Sequence, residues 1–186
     1  MQRFLSWLTS RQTNKAEKCS MKSPRATWFT SFRWWIAAGG LVLIALELQF
    51  HAHYRFAVVV GDSMLPTLKA GDLLLVDKRA YDQTEPHRGD IVVARYSAGL
   101  VVKRVVGLPW EEVELRYGRL YVNGALMKES HPIEPGYLSV EQGKLLDGDF
   151  ATLGDNRAVP PALAVHPIVT KADILGKVVL ALGKHL

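Results

Sequence analysis

The feature that most constrains this chain is a change of character near residue 34. Residues 1–33 carry seven basic side chains (Arg3, Arg11, Lys15, Lys18, Lys22, Arg25 and Arg33) against one acidic residue, Glu17. The run Trp34-Trp35-Ile36-Ala37-Ala38-Gly39-Gly40-Leu41-Val42-Leu43-Ile44-Ala45-Leu46 then follows without a charge, and only Glu47 interrupts it before Phe50. A bilayer core takes about twenty mostly apolar residues as a helix. At ~1.5 Å per residue, a helix over 34–50 reaches about 26 Å. Trp28, Trp34 and Trp35 at one end, with Phe50 and Tyr54 at the other, are placed like interfacial aromatic belts. The expectation is a single transmembrane helix at 34–50. A basic tail, 1–33, would be held in the cytoplasm by its positive charge, and 51–186 would form a folded domain outside. The basic stretch is too long for a cleavable signal peptide, and no small-x-small site follows the apolar run.

Charge separates the parts further. Residues 51–186 hold sixteen basic and sixteen acidic side chains, so the net +5 comes from the tail's excess of six, less Glu47. That argues against a nucleic-acid-binding surface on the domain, and no nucleic-acid partner is expected. Within the tail, Phe4, Leu5, Trp7 and Leu8 beside Arg3 and Arg11 read either as a short interfacial helix or as disorder. Cys19 is the only cysteine, which excludes an intrachain disulfide and a cysteine-built zinc site. His51 and His53 alternate as on one face of a strand, but no third ligand is evident, so no metal is expected. Glu111 and Glu112, as strand neighbours, would point to opposite faces and be solvated. No glycine loop of the phosphate-cradling type is present, and no cofactor is expected.

From Phe56 onward the chain reads as short β-branched runs separated by turn signals. Strands are expected near 56–60, 73–78, 90–96, 100–107, 112–117, 119–123, 149–153 and 176–182. Tyr117-Gly118 and Asn123-Gly124 mark tight turns. The fold class is therefore mainly β, with antiparallel, coiled, barrel-like sheets. Residues 128–148, with Pro132, Pro135, Gly136, Gly143 and Gly148, read as an irregular, partly mobile excursion.

Two stretches carry chemistry. Phe56-Ala57-Val58-Val59-Val60 runs into Gly61-Asp62-Ser63-Met64-Leu65-Pro66-Thr67-Leu68, which presents Ser63 on a turn at a strand end. A serine hydroxyl is a weak nucleophile and needs a base. Forty residues on, Lys103 lies among Val101, Val102, Val105 and Val106. An unperturbed lysine is neutral at pH 7 only about once in a few thousand, whereas burial among valines disfavours the ammonium. Serine–lysine dyads are an established variant of the serine-nucleophile design.

Four ordered boxes, Gly-Asp-Ser-Met-Leu-Pro-Thr-Leu (61–68), Gly-Asp-Ile-Val-Val (89–93), Val-Lys-Arg-Val-Val-Gly-Leu-Pro (102–109) and Gly-Asp-Asn-Arg (154–157), make the chain resemble the type I signal peptidases over roughly residues 33–180. The resemblance implies a membrane-anchored serine endopeptidase that removes signal peptides from exported preproteins after small residues. It implies Ser63 as nucleophile, its backbone N–H in the oxyanion hole, and Lys103 as general base. Met64, Leu68 and Val101 would line the pocket for the last residue before the cut, and Gly154, Asp155, Asn156 and Arg157 would support the site. The bilayer and exported preproteins are the implied partners.

The chain departs from the family pattern in places. Trp110-Glu111 stands where a Gly-Asp pair usually follows Gly-Leu-Pro. Pro160, Ala162, Leu163 and Ala164 stand where the family has Ser, Asp, Ser and Arg, the first of which orients the lysine. Thr152 and Ser139 are the hydroxyls that could compensate. Gly61 offers no side-chain hydroxyl to the oxyanion hole. These departures leave a specialised pilin- or conjugation-type processing peptidase, and a non-catalytic relative that binds secretory chains, as alternatives. A self-cleaving repressor-type domain also runs Gly-Asp-Ser-Met to a strand lysine. It would carry a DNA-binding module in place of the apolar run, and is not expected to show Gly-Asp-Asn-Arg.

Overall fold

The computed structural model describes residues 27–97, 99–160 and 168–183. Cys19, the expected interfacial segment near residue 4, and Ala162, Leu163 and Ala164 lie outside them. Helix α1 spans Thr27–His53, longer at both ends than the expected 34–50. Within it, Trp34–His53 is a twenty-residue segment of mean hydropathy 1.5, about 30 Å at the helical rise. Every large apolar side chain from Trp34 to Leu48 is exposed. A helix that is apolar all round and uncovered by protein suits a bilayer interior, and by length and composition this one can cross a membrane.

Helix, rather than strand, also continues through His51 and His53, and the expected shared face disappears. Residues two apart on a helix do not face each other. His51 Nε2 meets Glu47 one turn back at 3.0 Å, while His53 Nε2 lies 2.7 Å from Arg79 Nη1.

The strands are β1 (Tyr54–Val58), β2 (Leu73–Asp77), β3 (Ile91–Tyr96), β4 (Gly99–Gly107), β5 (Glu112–Arg116), β6 (Arg119–Val122), β7 (Ala125–Leu126), β8 (Val140–Lys144), β9 (Asp149–Leu153), β10 (Ile168–Thr170) and β11 (Ile174–Leu182). They form a seven-stranded sheet in the order β1-β2-β11-β3-β4-β9-β10 and a four-stranded sheet in the order β7-β6-β5-β8. Every ladder is antiparallel. The smaller sheet is an insertion: the chain leaves the larger one after β4, builds β5 to β8, and returns as β9 to pair with β4. Arg104 faces Leu153 in that ladder, so the chain leaving β9 emerges beside Lys103.

The excursion expected over 128–148 contains a strand. β8, Val-Glu-Gln-Gly-Lys, has little intrinsic strand preference and exists because β5 supplies its partner. Leu138 and Leu145 anchor its ends at 3% and 1% exposure. β7 and β10 were likewise unexpected, being too short to show a period. Leu115 and Leu120 of the smaller sheet pack with Val106 and Leu153 of the larger, each buried side chain stabilising the contact by about 1.5–3 kcal/mol. Glu111 is not solvated as expected. Its carboxylate takes both Arg88 Nη2 contacts, at 2.5 and 2.7 Å, and accepts from Leu108 N–H at 2.7 Å.

Candidate active site

The Ser63 segment is shaped by its backbone. β1 ends at Val58, but Val59 continues the line by donating to the Asp72 carbonyl and accepting from Gly71 N–H, both at 2.9 Å. Gly61 then turns the chain with φ of +89°, a conformation that side chains with a Cβ resist. Space is not the reason for glycine there, since a Cβ would meet nothing within 4 Å. The turn closes through Leu65 N–H to the Asp62 carbonyl, 3.1 Å, and Leu68 N–H to the Met64 carbonyl, 2.9 Å; the Leu65–Pro66 peptide is cis. Met64 and Leu68, at 1% and 2% exposure, pin the segment into a core with Leu74 and Val93. Ser63 is left half-buried at the surface of that plug.

Gly-Asp-Asn-Arg, directly after β9, holds this segment from the other side. Asn156 donates its N–H to the Ser63 carbonyl at 3.1 Å and its amide to the Asp62 carbonyl at 3.0 Å. Thr67 Oγ1 donates to Asp155 Oδ2 at 2.5 Å. A Cβ on Gly154 would stand 2.3 Å from the Ser63 carbonyl oxygen and 3.5 Å from Lys103 Nζ, so glycine is required by close approach. Asp155 is buried and takes the Arg104 fork through Nε at 2.9 Å and Nη2 at 2.6 Å. Arg157, also buried, donates to the Gly154 and Gly118 carbonyls, both at 2.9 Å, and pairs with Glu129 at 2.6 Å. The inserted sheet and its loops thus brace the box. His131 lies against both carboxylates, 3.4 Å from Glu129 and 3.5 Å from Asp155, and burial, with Arg104 adding to it, pushes its pKa below the ordinary histidine value.

Lys103 is 5% exposed and, among the described residues, carries no hydrogen bond or ion pair. Burial pushes its pKa down to about 8, with Asp155 opposing. At that value about a tenth of the amine is neutral at pH 7, enough to accept a hydroxyl proton. Among the described residues, Ser63 Oγ likewise has no hydrogen bond. The two groups line the same two cavities, without a hydrogen bond between them in this structure. The first, about 310 Å³, is walled by Ala57, Val58, Val59, Met64, Val93 and Leu100. The second, about 520 Å³, adds Gly61, Asp62, Asn156, Ala158, Val159 and Pro160.

Of the three expected pocket residues, Met64 and Val101 line the apolar cavity; Leu68 sits behind Met64 in the core. Sequence reasoning missed the walls formed by Val58, Val59 and Leu100, and strand alternation could not have found them, since Val58 and Val59 are neighbours and Leu100 belongs to β4. Pro160 borders the larger cavity. Neither hydroxyl that could replace the family's serine lines a cavity with Lys103: Ser139 accepts from Tyr117 N–H at 3.1 Å, and Thr152 borders a different space with Leu115 and Leu145.

The sequence profile of the family described as signal peptidase, peptidase S26, matches residues 31–182. The chain belongs to that family. Its relatives include a probable signal peptidase I-2 of Synechocystis sp., 31% identical over 79% of this chain and 68% of the relative. The signal peptidase I of Leptolyngbya laminosa is 33% identical over 75% and 73%, and a probable signal peptidase I-1 of Synechocystis sp. is 36% identical over 73% and 74%. A solved signal peptidase I from Enterococcus faecalis V583 aligns with 51% of this chain and 97% of its own, at 24% identity and a TM-score of 0.39. The chain is accordingly a type I signal peptidase, a serine endopeptidase. The apolar helix and the family together point to a membrane-anchored protein.

Proposed function

We propose that this peptidase cleaves exported preproteins after a small residue, with Ser63 attacking the scissile carbonyl and Lys103 acting as its general base. The observation that carries this reading is the buried, unpaired amine of Lys103 sharing both cavities with Ser63. The amine takes the Ser63 proton as the carbonyl is attacked, and returns it to the leaving amine as the peptide bond breaks. A water then releases the acyl group through the same base. The apolar cavity beside Met64 and Val101 receives small side chains and keeps water from Lys103. The backbone N–H of Ser63 faces the developing oxyanion, and Gly154, Asp155, Asn156 and Arg157 hold the segment in place. Incubating the detergent-purified protein with a preprotein bearing an Ala-x-Ala site, beside Ser63→Ala, tests the assignment. Cleavage by the parent and none by Ser63→Ala is expected; processing by Ser63→Ala would move the nucleophile elsewhere.

In the same reading, 1–33 is a cytoplasmic tail, α1 crosses the inner membrane once, and residues from about 51 onward form the catalytic domain on the outer side. The basic excess before the apolar segment supports this orientation. Ser130→Cys in a Cys19→Ser background should react with an impermeant thiol reagent in intact cells. Labelling only after lysis would reverse the topology.

A further inference from the structure

The two cavities that meet at Ser63 and Lys103 differ in chemistry. Every residue peculiar to the smaller one is apolar, including Ala57, Met64, Val93 and Val102. The larger one contains Asp62 and Asn156. Asn156 is engaged at both ends of its side chain: the amide nitrogen donates to the Asp62 carbonyl and the oxygen accepts from Ala158 N–H at 2.9 Å. Only the backbone of Asp62 is bonded, through its carbonyl. Its carboxylate is exposed and, among the described residues, has no hydrogen bond or ion pair. Among the described residues, the residue adjoining the proposed nucleophile therefore places an unpaired carboxylate on one side of the reaction centre and not on the other, Lys103 bordering both cavities.

A peptide crossing Ser63 must put its acyl side in one cavity and its leaving side in the other. The apolar cavity suits the small apolar residues before the cut. We propose that Asp62 is a specificity-determining residue that reads the charge of the first two residues of the released chain, favouring basic side chains and opposing acidic ones. This rests on the Ser63–Lys103 reading above. The carboxylate acts through space on the leaving side, where it faces the new amino terminus as well. Because Asp62 is exposed, the discrimination is modest, a few-fold for each unit of charge, which is the range of exposed pairs. It fades as salt screens it.

The test uses the full-length protein in detergent and peptides identical up to an Ala-x-Ala cut, carrying Lys, Gln or Glu at the first or second position after it. In the parent at low ionic strength, kcat/KM should fall from Lys to Gln to Glu by about three-fold per step at one of those positions. The spread should shrink in molar salt. Asp62→Asn should flatten the series and Asp62→Lys should invert it. Because ratios between peptides are read, a general loss of activity in a variant cancels. A series that is flat in the parent, or unchanged in Asp62→Asn, overturns the proposal while leaving the dyad intact. Cleavage of the Gln peptide by Ser63→Ala would instead overturn the reading on which it rests.

Discussion

Adjacent residues of β4 show two opposite treatments of a buried cation. Lys103 and Arg104 are 5% and 7% exposed, and their side chains leave opposite faces of the strand. Arg104 meets three close acceptors: two oxygens of Asp155, and the Gly89 carbonyl at 2.8 Å. Lys103 meets valines and a cavity, and Asp155 reaches it only as a distant charge. A buried charge costs several kcal/mol unless it is paired. One face of β4 meets that requirement and so fixes the structure. The other leaves it unmet, and the protein keeps an amine that sheds its proton near neutral pH. The difference teaches that a paired and an unpaired buried cation are separated by one residue along a strand.

The comparison breaks most visibly through Lys103→Arg. Arginine keeps charge and bulk but cannot deprotonate in a protein, so cleavage should fall at least about a thousand-fold, as for removal of a member of a catalytic unit. The parent rate should rise with pH through about 8, because the neutral amine is the active form. A Lys103→Arg protein retaining most of its rate would remove the lysine from the mechanism.

Next in size is the matched pair Arg104→Met and Lys103→Met. Removing Arg104 leaves Asp155 buried with only Thr67 donating to it at 2.5 Å and His131 near it, and should destabilise by about 3–5 kcal/mol. Removing Lys103 should stabilise. Its folded pKa lies below the unfolded value, so at pH 7 folding works against protonation. Relief of that penalty is worth on the order of 3 kcal/mol. The gain should shrink as pH rises above about 8 and vanish only beyond about 10.5, where both states have lost the proton. Urea unfolding of the two variants followed by circular dichroism decides this; the same sign for both would end the contrast.

A smaller effect sharpens it. Trp110 occupies φ of +69°, a conformation that favours glycine, and is 62% exposed. Trp110→Gly should stabilise by about 1 kcal/mol through relief of left-handed strain. Glu111 beside it must stay, since it bonds Arg88 and Leu108. A loss of stability on Trp110→Gly, in the same urea assay, would show that the indole packs to advantage.

Much of this molecule was legible in one dimension. An uncharged run of this length after seven basic residues points to a helix, because a single apolar span in lipid can satisfy its backbone only within itself. β-branched runs between turn signals gave most of the strands of the larger sheet. Ser63 and Lys103 could be singled out only together and with the four ordered boxes, since a serine on a turn is commonplace and a lone strand lysine ordinarily keeps its head in water. Tertiary structure decided what surrounds them. β8 formed because β5 offered an edge, which no local preference in Val-Glu-Gln-Gly-Lys announces. Glu111 turned inward because Arg88, twenty-three residues away, was brought to it. Above all, β9 returned to β4 after the inserted sheet, setting Gly154 against both the Ser63 carbonyl and Lys103 Nζ. The sequence determined which groups the chain has for its chemistry. Only the fold decided that Arg104 would be neutralised and Lys103 would not, because that depends on which carboxylate reaches which face of one strand.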